Sequence, residues 1–131
     1  MKFLLDTSVL LHSLLAEPRL NSGAIELLTN ESSELYFSAA SSWEIVIKVG
    51  TGKLVLPERA DSFVTRAMQL LSLRPLEITF LHTLALGALP HHHRDPFDRV
   101  LIAQAQEEGL VLLTADRNFE KYNVEQIFCG R

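Results

Sequence analysis

The stretch Lys2-Phe3-Leu4-Leu5-Asp6-Thr7-Ser8 decides the fold. A short apolar run leads straight into an acid and two hydroxyls. A run of this length reads as a buried strand. Thr7 and Ser8 offer capping hydroxyls for a helix that carries Val9, Leu10, Leu11, Leu14 and Leu15, and Pro18 closes it. The same grammar returns near the other end: Leu110 to Leu113 is a second buried strand, and it runs into Thr114-Ala115-Asp116. In open α/β sheets, ligands bind outside the carboxyl ends of the strands. Asp6 and Asp116 each follow such an end, so both belong on one edge of one sheet.

Working outward, strand-like and helix-like segments alternate. Asn21-Ser22 opens a helix with Ile25, Leu27 and Leu28 as its apolar positions, and Leu35-Tyr36-Phe37 is a short strand. Ile45 to Val49 is rich in β-branched residues, yet Ser41-x-x-Glu44 has capping-box spacing and Gly50 and Gly52 act as stops, so a helix from Ser41 or Ser42 is expected. Leu54 to Pro57 connects to a helix over residues 60–73, then a brief strand over 76–78 and a helical stretch over 81–89. A loop carries His91-His92-His93-Arg94. Asp95-Pro96 opens the next helix with proline in its first position, and Gly109 ends it. Residues 124–129 supply the last strand. The alternation predicts an α/β fold with a mainly parallel central sheet covered by helices.

At 131 residues and 47% hydrophobic content, the chain fits a single domain over residues 1–131 with a sizeable core. No apolar run approaches the roughly 20 residues needed to cross a bilayer. An acid at position 6 arrives too soon for a signal-peptide core, and the single cysteine, Cys129, has no partner for a disulfide; both favour a cytoplasmic protein with a buried, inert thiol. The formal charge of −4 is not the footprint of a general nucleic-acid binder. It is compatible with a protein that gathers several acids in one pocket while the remaining surface stays near neutral.

Four acids are candidates for that pocket. Asp6 and Asp116 follow from strand-end geometry, although each also suits a helix cap. Glu44 has the capping-box alternative. Asp98 stands in the first turn of a helix continued by Val100, Leu101, Ile102, Ala103 and Ala105, where a helix dipole favours an acid and burial penalises an unpaired one. Asp95 is better read as the N-cap of that helix. Carboxylates converging in one cleft raise one another's pKa unless a cation is present. Hard ions such as Mg²⁺ or Mn²⁺ prefer oxygen ligands, and a pair of them about 3.5–4 Å apart suits phosphoryl transfer.

These residues carry a family resemblance. Leu4-Leu5-Asp6-Thr7-Ser8, Ser41-Ser42-Trp43-Glu44-Ile45, Arg94-Asp95-Pro96-Phe97-Asp98-Arg99-Val100-Leu101-Ile102-Ala103 and Leu113-Thr114-Ala115-Asp116, in this order, resemble the PIN domains, and in particular the VapC-like toxins of bacterial toxin–antitoxin pairs. The resemblance spans essentially the whole chain. It implies a three-layer α/β/α sandwich, metal-binding acids at Asp6, Glu44, Asp98 and Asp116, and a supporting hydroxyl at Thr114, with Thr7 and Ser8 as weaker counterparts. It implies endonucleolytic cleavage of RNA by a metal-activated water, with one or two Mg²⁺ or Mn²⁺ ions. It also implies a small VapB-like antitoxin laid over the acidic cleft, often with an arginine, and a homodimer.

Other features have plainer readings beside functional ones. His91-His92-His93 fits a solvated loop better than a ligand set. Trp43 suits a core or interface position, with base stacking as the alternative. Lys48, Lys53, Arg94, Arg99 and Arg117 are candidates for phosphate contacts, and Arg99 alternatively for neutralising Asp95 or the acidic cluster. Two competing functions remain: a phosphatase-like enzyme with Asp6 as nucleophile, which has Ser8 where a second acid is expected, and a non-catalytic binding module using the same cleft.

Overall fold

A computed structural model describes residues 1–15, 19–92 and 95–131. Pro18, expected to close the first helix, and His93 and Arg94 lie outside the described residues. Five strands, β1 (Lys2–Leu5), β2 (Glu34–Ser38), β3 (Arg74–Leu76), β4 (Val111–Thr114) and β5 (Gln126–Phe128), form one sheet in the order β3-β2-β1-β4-β5. Every neighbouring pair is parallel. Six α-helices accompany them among the described residues: α1 (Thr7–Leu14), α2 (Ser22–Thr29), α3 (Ala39–Gly50), α4 (Ala60–Leu70), α5 (Phe80–Ala85) and α6 (Pro96–Glu108).

The sheet's two faces are sorted by side-chain alternation along each strand. Phe3, Leu5, Leu35, Phe37, Val111 and Leu113 face one core, shared with Val9 and Leu10 of α1, Ala24 and Leu28 of α2, Ile45 of α3 and Phe63 and Ala67 of α4. Leu4, Leu110 and Leu112 face the other, shared with Ala40 and with Leu101, Ile102, Ala103 and Ala105 of α6. Burial on both faces is why β1 and β4 read as unbroken apolar runs. Leu4, Leu5, Leu112 and Leu113 are wholly buried, and each such side chain stabilises the fold by about 1.5–3 kcal/mol. The three-layer α/β/α sandwich expected from the sequence is the observed architecture.

Three local readings need correction. Helix α3 begins at Ala39, with Ser38 as the N-cap accepting from Ala40 N–H, so Ser41 and Glu44 form no capping box. Ser41 Oγ is buried without a hydrogen-bond partner in the structure. Helix α1 is capped by Asp6, and the hydroxyls of Thr7 and Ser8 serve carboxylates instead. The strand expected over residues 76–78 is β3, Arg74–Leu76, set two residues earlier at the sheet edge, where Pro75 is tolerated. By contrast, the α6 signals hold. Asp95 caps it with Pro96 in the first turn, and Gly109 closes it at φ 65°, the left-handed conformation that glycine adopts without strain.

Strand order sets where a site can form. The chain builds outward from β1 to β2 and β3, then returns to the other side of β1 with β4 and β5. The crevice outside the carboxyl ends of β1 and β4 lies where that winding reverses, the usual ligand position in such sheets.

Candidate functional site

Asp6 stands at that crevice. Its backbone N–H donates to Leu113 O at 2.9 Å, which extends the β1–β4 ladder one residue past β1 and fixes the acid at the mouth of the sheet. The buried carboxylate takes Ser8 Oγ at 2.7 Å and Val9 N–H at 2.9 Å on Oδ1, and the Thr114 hydroxyl on Oδ2. Thr114 in turn accepts from Asp116 N–H at 2.9 Å. One hydroxyl thus ties both strand-end acids together. Asp116 also caps a 3₁₀ turn over Arg117–Lys121 by accepting from Asn118 N–H.

Two helices bring the other acids. Glu44 is the sixth residue of α3 and points back toward α1. Thr7 Oγ1 donates to its Oε1 and Lys48 Nζ, one turn on, donates to its Oε2, both at 2.6 Å. The Glu44 side chain is 5% exposed and that of Lys48 42%. Asp98 lies in the first turn of α6, three residues after the Asp95 cap, and is half-buried. Asp6, Glu44, Asp95, Asp98 and Asp116 all line one cleft of about 260 Å³, with Thr7, Ser8, Leu11, Lys48 and Phe119. Larger hollows, of about 420 Å³ along α4, 430 Å³ beside residues 28–35 and 70–72, and 290 Å³ between residues 105–110 and 123–125, bring together no such set of acids.

The electrostatics follow from this crowding. Burial, then the negative charges of Asp95, Glu44, Asp6 and Asp116, push the Asp98 carboxyl up to about 8. Burial also raises Asp6, against the lowering effect of its hydrogen bonds from Ser8, Thr114 and Val9. Lys48 is held above its ordinary value, first by its hydrogen bond to Glu44 and also by the charges of Glu44, Asp95 and Asp98, so its ammonium stays charged. The donor set is all oxygen, which is the chemistry of hard divalent cations. Among the described residues no three His, Cys, Asp or Glu side chains are gathered closely enough to chelate an ion without moving.

The fold agrees with comparisons to known proteins. The profile of the PIN domain matches residues 3–125. The chain belongs to the PIN-domain family. A curated relative, Ribonuclease VapC16 of Mycobacterium tuberculosis, is 34% identical over 70 residues, which cover 50% of each chain. The chain thus spans about half the length of the curated relative it matches. Among solved structures, VapBC2 from Rickettsia felis bound to a promoter DNA fragment superposes with a TM-score of 0.76 at 17% identity, over 98% of this chain and 99% of that one. FitAcB from Neisseria gonorrhoeae gives 0.69 at 20% identity, over 97% and 96%. A VapBC-5 structure from Mycobacterium tuberculosis, of the VapBC toxin–antitoxin family, gives 0.62 at 18% identity, over 97% and 98%. These likenesses establish a shared fold.

Within this PIN domain the basic candidates divide. Lys48 is inside the cleft. Arg99 donates to the carbonyls of Pro90, Leu86 and Leu89 and to Tyr122 Oη, so it braces the α5–α6 connection rather than neutralising the acids. Arg117 stacks 3.7 Å from the centroid of the Phe128 ring and pairs with Glu120. Trp43 is 55% exposed and meets Phe97 edge-on at 5.0 Å, so it is not a core residue. His92 packs its ring against Tyr122. Cys129 is wholly buried with its thiol pushed up to about 11, an inert sulfur as expected. No helix of the described residues is long and apolar enough to cross a membrane. Sequence reasoning missed Phe119 and Leu11 as cleft walls; nothing in their local pattern marks them. Lys48 was considered only for phosphate, although its four-residue spacing from Glu44 predicts the pair.

Proposed function

We propose that this chain is a metal-dependent endoribonuclease, the toxin of a toxin–antitoxin pair. The observation that carries the reading is the convergence of Asp6, Glu44, Asp98 and Asp116, from β1, α3, α6 and β4, on one cleft at the sheet's carboxyl edge. The elevated Asp98 carboxyl supports a cation partner: burial and the crowding of Asp95, Glu44, Asp6 and Asp116 disfavour its charged form, and a divalent ion would relieve that crowding. The four acids would hold one or two Mg²⁺ or Mn²⁺ ions, with Asp95 as a more distant contributor. When bound, such ions polarise a phosphodiester and activate water.

The chain's own groups prepare that chemistry. Thr114 fixes the relative position of Asp6 and Asp116. Thr7 aims Glu44 into the cleft. Hydrogen bonds to both oxygens hold the Asp6 carboxylate in one orientation, as a ligand position needs. The partners follow the same reading: RNA as substrate, and a small VapB-like antitoxin, which the toxin–antitoxin structures among its neighbours support; an arginine from that partner would suit the acidic cleft. Phe80, Leu81 and Leu84 expose 87%, 68% and 73% of their surface on α5, an apolar face suited to a homodimer contact.

The deciding experiment strips metal with EDTA and follows cleavage of a single-stranded RNA. Cleavage should vanish and return with Mg²⁺ or Mn²⁺. Equal cleavage with and without EDTA would overturn the metal reading, and no cleavage of any RNA under either ion would favour a binding module.

A further inference from the structure

Lys48 is the one charge of opposite sign that lines the acidic cleft among the described residues. Its ammonium sits 2.6 Å from Glu44 Oε2, while the other oxygen of Glu44 is held separately by Thr7. The two partners differ in exposure. Glu44 is buried on α3, whereas Lys48 reaches in from solvent on a flexible stem. Withdrawal of Lys48 therefore leaves Glu44 aimed by Thr7 and costs little packing. A divalent ion approaching Glu44 meets a positive charge already in place, and two cations sharing one carboxylate oxygen repel each other.

We propose that Lys48 is a tethered counter-cation: it occupies Glu44 in the ion-free protein, gives way when a divalent cation arrives, and so sets the ion concentration at which the site loads. The inference rests on the metal reading above. It makes Lys48 neither a ligand nor a catalytic residue. Its effect is to stabilise the ion-free cleft against carboxylate repulsion and to weaken ion binding by the same interaction. A lysine that only braced Glu44 would act in the opposite direction, because its loss would misplace a ligand and weaken binding.

Wild type, Lys48→Met and Lys48→Arg are compared without RNA, by calorimetric titration with MnCl₂ and by thermal melting in EDTA. Lys48→Met should bind Mn²⁺ about tenfold tighter, the order expected for removing one opposing charge near a protein surface. It should also melt lower than wild type in EDTA, with the gap narrowing at saturating Mn²⁺. Lys48→Arg keeps the charge and should stay near wild type in both measurements. Equal or weaker Mn²⁺ binding by Lys48→Met, with clear binding by wild type, overturns the counter-cation while leaving the metal reading intact. Lys48→Arg behaving like Lys48→Met overturns it too, since charge would then not be the cause. Absence of Mn²⁺ binding in all three proteins overturns the metal reading itself, and the counter-cation falls with it.

Discussion

The two halves of the cleft are built differently. On the sheet side, Asp6 and Asp116 are joined through Thr114 and tied by neutral donors: Ser8, Val9 N–H and Asn118 N–H. On the helix side, Glu44 answers to a charged lysine that is partly in solvent, and the Asp98 carboxyl is pushed up to about 8 by burial and then by its acidic neighbours. The sheet half fixes geometry, because backbone N–H groups and two short hydroxyl side chains hold its acids from several sides. The helix half carries adjustable charge. Under the proposed function, a site that loads and releases cations would use both.

The sharpest way to break this comparison is Asp6→Asn. It keeps the size of the side chain and some capping capacity, but removes the charge from the rigid half. RNA cleavage should fall on the order of 10³-fold, about 4 kcal/mol of lost transition-state stabilisation, in an assay where circular dichroism shows the fold retained. Near-wild-type cleavage would move the chemistry away from the strand ends. Thr114→Val comes next. It removes the hydroxyl that joins the two acids while keeping the β-branched shape that β4 needs. Orienting groups of this kind are typically worth about 10- to 100-fold, and the stranded Asp116 N–H should cost about 1–3 kcal/mol of stability. Unchanged activity would show that the two acids need no fixed spacing.

The smallest expected effect concerns the helix half and its protons. The Asp98 carboxyl titrates at about 8 in the folded protein, against an ordinary value of 3.8. Between those values the folded state holds a proton that the unfolded chain has released. The stabilisation is therefore complete below about pH 4 and is lost as pH rises through 8. Metal-free protein should lose stability across pH 5–9, and Asp98→Asn should flatten that slope in part, the remainder belonging to Asp6. Denaturant melts in EDTA at several pH values check this. An unchanged slope in the variant would place Asp98 outside the shared field of the cleft.

The unevenness of the two halves also explains what could be read from sequence. Asp6 and Asp116 are legible because strands buried on both faces leave an unbroken apolar signature, and the carboxyl end is simply where it stops. Glu44 is not legible in that way. Ser41 and Ser42 read as helix starts, whereas the helix begins at Ala39, directly after β2, with Ser38 both the last residue of that strand and the cap. The capping box that seemed to account for Glu44 does not exist, while the two strand-end acids do serve as caps. Capping and site membership are compatible because both place an oxygen at the mouth of a helix, so one cannot be used to exclude the other. β3 stayed hidden two residues from its expected place because Arg74 and Pro75 carry no strand propensity, and edge pairing with β2 overrides that.

The hydrogen bond from Thr114 to Asp6 joins residues 108 positions apart. A ribosome makes Asp6 early and Thr114 late, and β1 cannot acquire its β4 neighbour until the later segment has emerged. A nascent chain that stops short of Val111 lacks one wall of the crevice, whatever it has already folded. The wiring of the sheet therefore imposes an order: until β4 lies beside β1, Asp6 has no Thr114 to hold it and the crevice is incomplete.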